Sequence, residues 1–369
     1  MKFNQTHPIG RKRCQGRNTA KLSSVAGVVV LSLAAVACAA TGPGASNSPT
    51  RQAGDSAMAQ TDLDYEPITR AARFTKVGSR GEAAYIFAPR AKESGTAPLV
   101  VFFHGLAATD PFSYGGWIDH LVDRGNIVIY PVAENTKFDR ARKIRRNAIV
   151  GVRSAINYLQ QGRLKPDLNR VSYVGHSVGG GLSVQLAADA KTLGLPTPKA
   201  IMPVQSGGSK NPTDIAQVNR LPSRLLLLAI DGDQDQFEDS REGRMIVMNA
   251  NAVPAKNRGY IVLRSSSSLI ADHYAPLSPD LRYQMLRKSG RKGRRALMKM
   301  FGARDGEFNA LDRNGFWRLF DDLMDAAYAG GTVTEVMAAS GATPIDSGVK
   351  SRGAAFESQL VQLMQLSVR

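Results

Sequence analysis

Gly175-His176-Ser177-Val178-Gly179 sets a serine between glycines two residues to either side. A serine hydroxyl becomes an exposed nucleophile on a sharp strand-to-helix turn, where flanking side chains would collide with neighbouring backbone; the glycines meet that demand. The context agrees. Arg170 to Val174 is short, β-branched and aromatic, which predicts a strand, and Gly179 to Leu193 is rich in Ala and Leu, which predicts a helix. The start of that helix offers free N–H groups and a positive dipole end to a developing oxyanion.

Such a serine needs a base, and usually a carboxylate to orient the base. The chain has five histidines, so elimination is possible. His7 lies near the N-terminus, and His176 should leave the turn in another direction than the hydroxyl. His120 falls on a predicted helix, and His104 ends a strand where an oxyanion donor belongs. His273 remains, just beyond the last predicted strand, in Ala271-Asp272-His273-Tyr274-Ala275-Pro276. For the acid, Leu225 to Ile230 delivers the chain to Asp231-Gly232-Asp233-Gln234-Asp235. Asp231 sits at the strand end and Asp233 in the turn. Asp235 lies where the loop can curl back over the strand ends, so it is chosen, with Asp233 as runner-up. The chain order Ser177, Asp235, His273 is that of one serine-triad fold and not of the others. Two backbone N–H groups should bind the oxyanion: Val178, and Leu106 in the loop after Phe103, with Ala107 its open alternative.

The elements that must position these groups alternate. Strands are expected at Ala83 to Ala88, Leu99 to Phe103, Asn126 to Tyr130, Lys199 to Val204, Leu225 to Ile230 and Tyr260 to Leu263. Leu99 to Phe103 is apolar throughout, as a strand buried on both faces must be. Between Arg142 and Gln161 the apolar residues Ile144, Ala148, Ile149, Val152, Ala155, Ile156 and Leu159 recur at helical spacing. This pattern predicts an α/β fold, a mostly parallel, doubly wound sheet with helices on both faces. Residues 280–369 read mainly as a helical C-terminal extension, packed on a catalytic domain spanning 65–279.

The N-terminus reads as an export signal, residues 1–37. Lys2, Arg11, Lys12, Arg13, Arg17 and Lys21 form a basic region without an acid, and Val25 to Ala37 is an apolar stretch too short to span a bilayer. Ala35-Val36-Ala37 satisfies ordinary signal peptidase. The same residues before Cys38 resemble a bacterial lipoprotein signal, although Ala35 stands where Leu is usual. Lipidated Cys38 at the start of a flexible tether, residues 38–64, is the preferred reading, with attachment to the cell envelope. The chain's other cysteine, Cys14, lies in the leader, so the mature protein can form no internal disulfide. The net charge is +17; without the six basic residues of the leader, 42 basic face 31 acidic residues, or +11. Much of it lies in Lys137 to Arg146 and Arg282 to Arg304. With no aromatic interleaving or recognised module, these read as solvated faces rather than a nucleic-acid site. Asp312-Arg313-Asn314-Gly315 hints at a calcium loop, but aligning the glycine puts Ala310 where a carboxylate is required, so no metal site is expected.

On Phe102-Phe103-His104-Gly105, Tyr114 to Leu121, Gly125 to Pro131, the serine turn and Ala271 to Leu277, the chain resembles the α/β-hydrolase superfamily. Within it, the likeness is to exported bacterial members near the dienelactone hydrolases, chlorophyllases and cutinase-like polyester hydrolases. The resemblance implies hydrolysis of a small-molecule or lipid-like carboxylic ester through an acyl-serine intermediate, without cofactor. Tyr114 and Trp117 are candidates to line the pocket, though Trp117 serves helix packing equally well. Amide or peptide hydrolysis by the same triad, and a non-catalytic envelope-binding role, are the alternatives.

Overall fold

The alternation of apolar residues along the central strands decides the architecture. Leu99, Val101 and Phe103 point to one side of the sheet, Val100 and Phe102 to the other, and all five are fully buried. A strand buried on both faces requires a helical layer above and below it. The computed structural model describes residues 66–67, 72–136, 138–207, 215–237, 242–280, 282–283, 309–344 and 362–367. All fall within the unit Ala57–Arg369. The expected leader, Cys38, the expected tether and most of the basic stretch after Arg282 lie outside the described residues.

The strands are β1 (Glu66–Pro67), β2 (Ala72–Val77), β3 (Ala84–Pro89), β4 (Gly95–Phe103), β5 (Ile127–Pro131) and β6 (Leu164–His176), followed by β7 (Ala200–Val204), β8 (Leu226–Gly232), β9 (Arg258–Arg264), β10 (Thr343–Pro344) and β11 (Gln362–Ser367). They form one sheet in the order β1-β2-β3-β5-β4-β6-β7-β8-β9-β11-β10. From β5 through β9 and on to β11 neighbouring strands run parallel, while β1, β2, β3 and β10 pair antiparallel at the two ends.

The helices are α1 (Gly115–Asp123), α2 (Ala141–Gln161), α3 (Val178–Ala188), α4 (Ile215–Val218), α5 (Glu242–Asn249), α6 (Arg318–Ala329) and α7 (Val333–Ser340), with a π-helical stretch at Leu311–Trp317. One core layer joins Val100, Phe102 and Tyr130 to Trp117 of α1, Phe320 of α6 and Met337 of α7. The other joins Leu99, Val101 and Phe103 to Val152 and Ile156 of α2, Val184 of α3 and Ile246 of α5. The predicted stripe of α2 is the buried one.

Two strands depart from the expectation of a mainly helical C-terminal extension. β11 adds to the sheet parallel to β9, with Gln362 opposite Gly259 and Ser367 opposite Arg264. Its sequence, Gln-Leu-Met-Gln-Leu-Ser, has helix-compatible composition; the unpaired edge of β9 draws it into a strand, a tertiary demand that overrides propensity. The suspected calcium loop is a helical turn in which Asp312 Oδ2 accepts the Asn309 N–H at 3.0 Å.

Candidate active site

β6 carries the chain to Ser177 and α3 begins at Val178, so the serine occupies the strand-to-helix junction. Its backbone has φ 55° and ψ −124°, left-handed φ that a non-glycine residue adopts at a cost of order 1–3 kcal/mol. The turn is held by the Ser177 N–H donating to Val204 O and the Gly180 N–H donating to Ser177 O, at 3.0 and 2.9 Å. Its crowding accounts for the flanking glycines. A Cβ at Gly175 would strike Gly179 O, and one at Gly179 would strike the carbonyl oxygens of Phe103 and His104.

The loops that follow β8 and β9 meet over this turn. His273 Nε2 lies 3.0 Å from Ser177 Oγ, and His273 Nδ1 lies 3.0 Å from both carboxylate oxygens of Asp235. All three side chains are buried. In the tautomer this geometry favours, Nδ1–H donates to Asp235 and Nε2 accepts from the serine hydroxyl. Asp235 Oδ1 also accepts the Phe237 N–H at 3.0 Å, which locks the carboxylate against rotation. Asp233 faces elsewhere: its Oδ1 accepts the N–H and hydroxyl of Ser265, at 2.9 and 2.6 Å. Asp231 is buried behind the turn, and burial pushes its carboxyl well above the usual range. Of the three acids, Asp235 alone contacts the imidazole among the described residues.

The loop after β4 accounts for its own N–H groups. The Gly105 N–H donates to Tyr114 Oη at 3.0 Å, the Ala107 N–H to the Glu134 carboxylate at 3.1 Å, and the Ala108 N–H to Gly105 O at 3.1 Å. This leaves the Leu106 N–H without a partner among the described residues, and Ala107 is taken. The loop lies directly on the serine turn: a Cβ at Gly105 would sit 3.4 Å from Ser177 Cβ. Val178 opens α3, where an N–H has no partner within the helix.

Several supporting residues escape sequence reasoning. Glu134 is buried, and its carboxyl is raised by burial against the opposing influence of His104 and the Ala107 N–H. It braces Ala107, whose φ of 67° is strained. Three successive carbonyls of the His273 loop are each claimed: Ala271 O by the Gln234 N–H, Asp272 O by Gln205 Nε2 and His273 O by His176 Nε2, at 3.1, 2.7 and 2.9 Å. His176, expected to point away from the hydroxyl, makes this contact instead and does not bond Ser177. Tyr114 and Trp117 are buried in the core rather than open to a pocket. The outer face of His273 is covered by Phe237, stacked at 4.9 Å between ring centres and 52% exposed, with Tyr274 edge-on at 5.9 Å. No sequence signal marks Glu134 or Gln205; the Asp235-x-Phe237 spacing is the one trace of the aromatic cover.

This sheet order, with the serine turn at the end of β6, is the α/β-hydrolase fold. The chlorophyllase family model matches residues 52–214, less than half of the 369 residues. The match includes Ser177 and the loop after β4 and stops short of Asp235 and His273. No curated protein matches the chain. Solved structures similar to it include a thermostable esterase from Pseudomonas putida (16% identity, TM-score 0.42, covering 64% of this chain and 83% of that one). Esterase B from Lactobacillus rhamnosis is similar at 14% identity and TM-score 0.41, over 64% of this chain and 87% of that one. A fungal esterase from Rhizomucor miehei is similar at 11% identity and TM-score 0.42, over 63% and 82%.

Proposed function

We propose that the protein hydrolyses carboxylic esters through an acyl-serine intermediate. The observation that carries this reading is the continuous contact Ser177 Oγ to His273 Nε2 to His273 Nδ1 to Asp235, each link 3.0 Å. Ser177 Oγ attacks the ester carbonyl while His273 Nε2 takes its proton, and Asp235 stabilises the imidazolium so formed. The oxygen of the tetrahedral intermediate gains negative charge and is met by the N–H groups of Leu106 and Val178. His273 then gives the proton to the departing alcohol. Water enters, loses a proton to Nε2 and attacks the acyl-serine, and collapse returns the acid product and the free hydroxyl. The likeness to chlorophyllases over residues 52–214 supports ester rather than amide as the bond cleaved.

The test is a fluorophosphonate label on the purified protein beside Ser177→Ala, together with paired p-nitrophenyl esters and anilides. Label on Ser177, absent from the variant, and turnover of the esters alone are expected. A folded protein that takes no label and turns over nothing overturns the proposal; faster anilide than ester cleavage replaces it with an amidase. Export and envelope anchoring belong to the same proposal. Cys38→Ser should abolish incorporation of labelled fatty acid, and a mature N-terminus at any other residue would overturn the anchor.

A further inference from the structure

The carbonyl oxygen of His273 can only accept, so His176 Nε2, 2.9 Å away, must carry a proton and donate it. In the neutral ring Nδ1 is then an acceptor, and the group facing it at 2.8 Å is the Tyr114 hydroxyl, which must donate. The Tyr114 oxygen in turn accepts the Gly105 N–H. A single directed chain of hydrogen bonds thus runs from Gly105 through Tyr114 and His176 to the backbone of His273. Its two ends lie beside the two parts of the reaction centre that must be in register. Gly105 precedes Leu106, the proposed oxyanion donor, and His273 is the proposed base.

We propose that Tyr114 and His176 are positioning residues that couple the oxyanion loop to the loop bearing the base, holding both against Ser177. The inference rests on the triad reading above. Tyr114 and His176 are both buried, so water cannot substitute for either bond. Burial pushes the Tyr114 hydroxyl up and the His176 imidazole down, the latter aided by His273, so both stay neutral and the donor directions hold. The loop has no slack on this side: a Cβ at Gly105 would lie 3.2 Å from both His176 Nδ1 and Tyr114 Oη. Tyr114 is itself anchored, at the entry to α1, with its ring 5.0 Å from Phe102 of the central strand β4. A phenylalanine there would fill the same space, so the hydroxyl is present for the chain of bonds and not for packing.

The experiment compares wild type, Tyr114→Phe, His176→Phe, His176→Gln and the double phenylalanine variant on a p-nitrophenyl ester, with melting temperature measured for each. Misplacing an oxyanion donor acts on the transition state, so Tyr114→Phe should lower kcat roughly 10- to 100-fold while KM stays within about threefold. The fluorophosphonate labelling rate should fall in parallel. His176→Phe should cost as much, and His176→Gln, whose amide can donate to His273 O, should recover part of the loss. The double variant should be no worse than the worse single, because both remove one chain. A Tyr114→Phe enzyme with lowered melting temperature but unchanged kcat overturns the proposal and leaves the triad standing. Losses that multiply in the double variant also overturn it. A wild type that neither turns over nor labels sinks the triad reading first, and the coupling with it, before any variant is compared.

Discussion

Asp233 and Asp235 stand two residues apart in one turn and differ in what they touch. Asp233 is spent on the N–H and hydroxyl of Ser265, which closes the loop after β9. Asp235 is fastened by the Phe237 N–H and offers both oxygens to His273. Asp235→Asn should keep the shape but lose the acceptor pair that selects the tautomer and the charge that steadies the imidazolium, lowering kcat by about 10,000-fold. Asp233→Asn should leave kcat within about tenfold and cost stability instead, since its acceptors hold a loop rather than a proton carrier. Steady-state kinetics on the two variants separates the roles, and the reverse order would move the triad acid to Asp233. The choice between them was open in the sequence because both lie at plausible distance along the turn; only the direction of each side chain distinguishes them.

Among the elements, the serine turn is legible because backbone crowding leaves a glycine signature; the segment before α6 lies in the stretch expected to be helical, but the burial of its carboxylate leaves no such mark. Its first turn buries Asp312, and burial pushes that carboxyl up to about 7 from an ordinary value of 3.8, against the pull of the Asn309 N–H. The folded state therefore prefers the neutral acid. Stability from this group is fully present below the unfolded value near 3.8 and is lost as pH rises through about 7. The loss integrates to on the order of 4 kcal/mol. Urea midpoints of wild type should fall between pH 4 and pH 8 relative to Asp312→Asn, which lacks the titration and keeps an acceptor for Asn309. Parallel midpoints for the two proteins across that range would mean that Asp312 is accommodated as a charge.

Across the fold, residues 309–344 and 362–367 are built into the sheet and its helical layer. Phe316 and Phe320 pack on Trp117 of α1, and Asp321 of α6 takes His120 at 2.7 Å and Arg124 at 3.2 Å. These contacts bear on α1, whose entry presents Tyr114 to the site. β11 covers the outer edge of β9, and Leu366 is buried there. A chain ending at Pro344 should expose that edge, lowering the melting temperature by several degrees and producing concentration-dependent association in light scattering. A monomeric truncated chain with unchanged melting temperature would show that β11 adds nothing to the fold. The sequence does not mark this strand, because strand pairing across about a hundred residues leaves no local periodicity.

Local sterics and periodicity are legible in the amino-acid order: the serine turn from its glycines, the doubly buried strands from their unbroken apolar runs, α2 from its stripe. Chain order and a short roster of histidines pointed to His273, which the fold sets 3.0 Å from the Ser177 hydroxyl. Only the folded chain shows which aspartate turns toward the imidazole and which N–H groups of the loop after β4 are already bonded. It also placed Tyr114, His176, Glu134 and Gln205 in hydrogen-bond contact with the loops around Ser177. Those outcomes depend on the direction of single bonds between residues tens of positions apart, and such directions exist only once the sheet has brought the loops together.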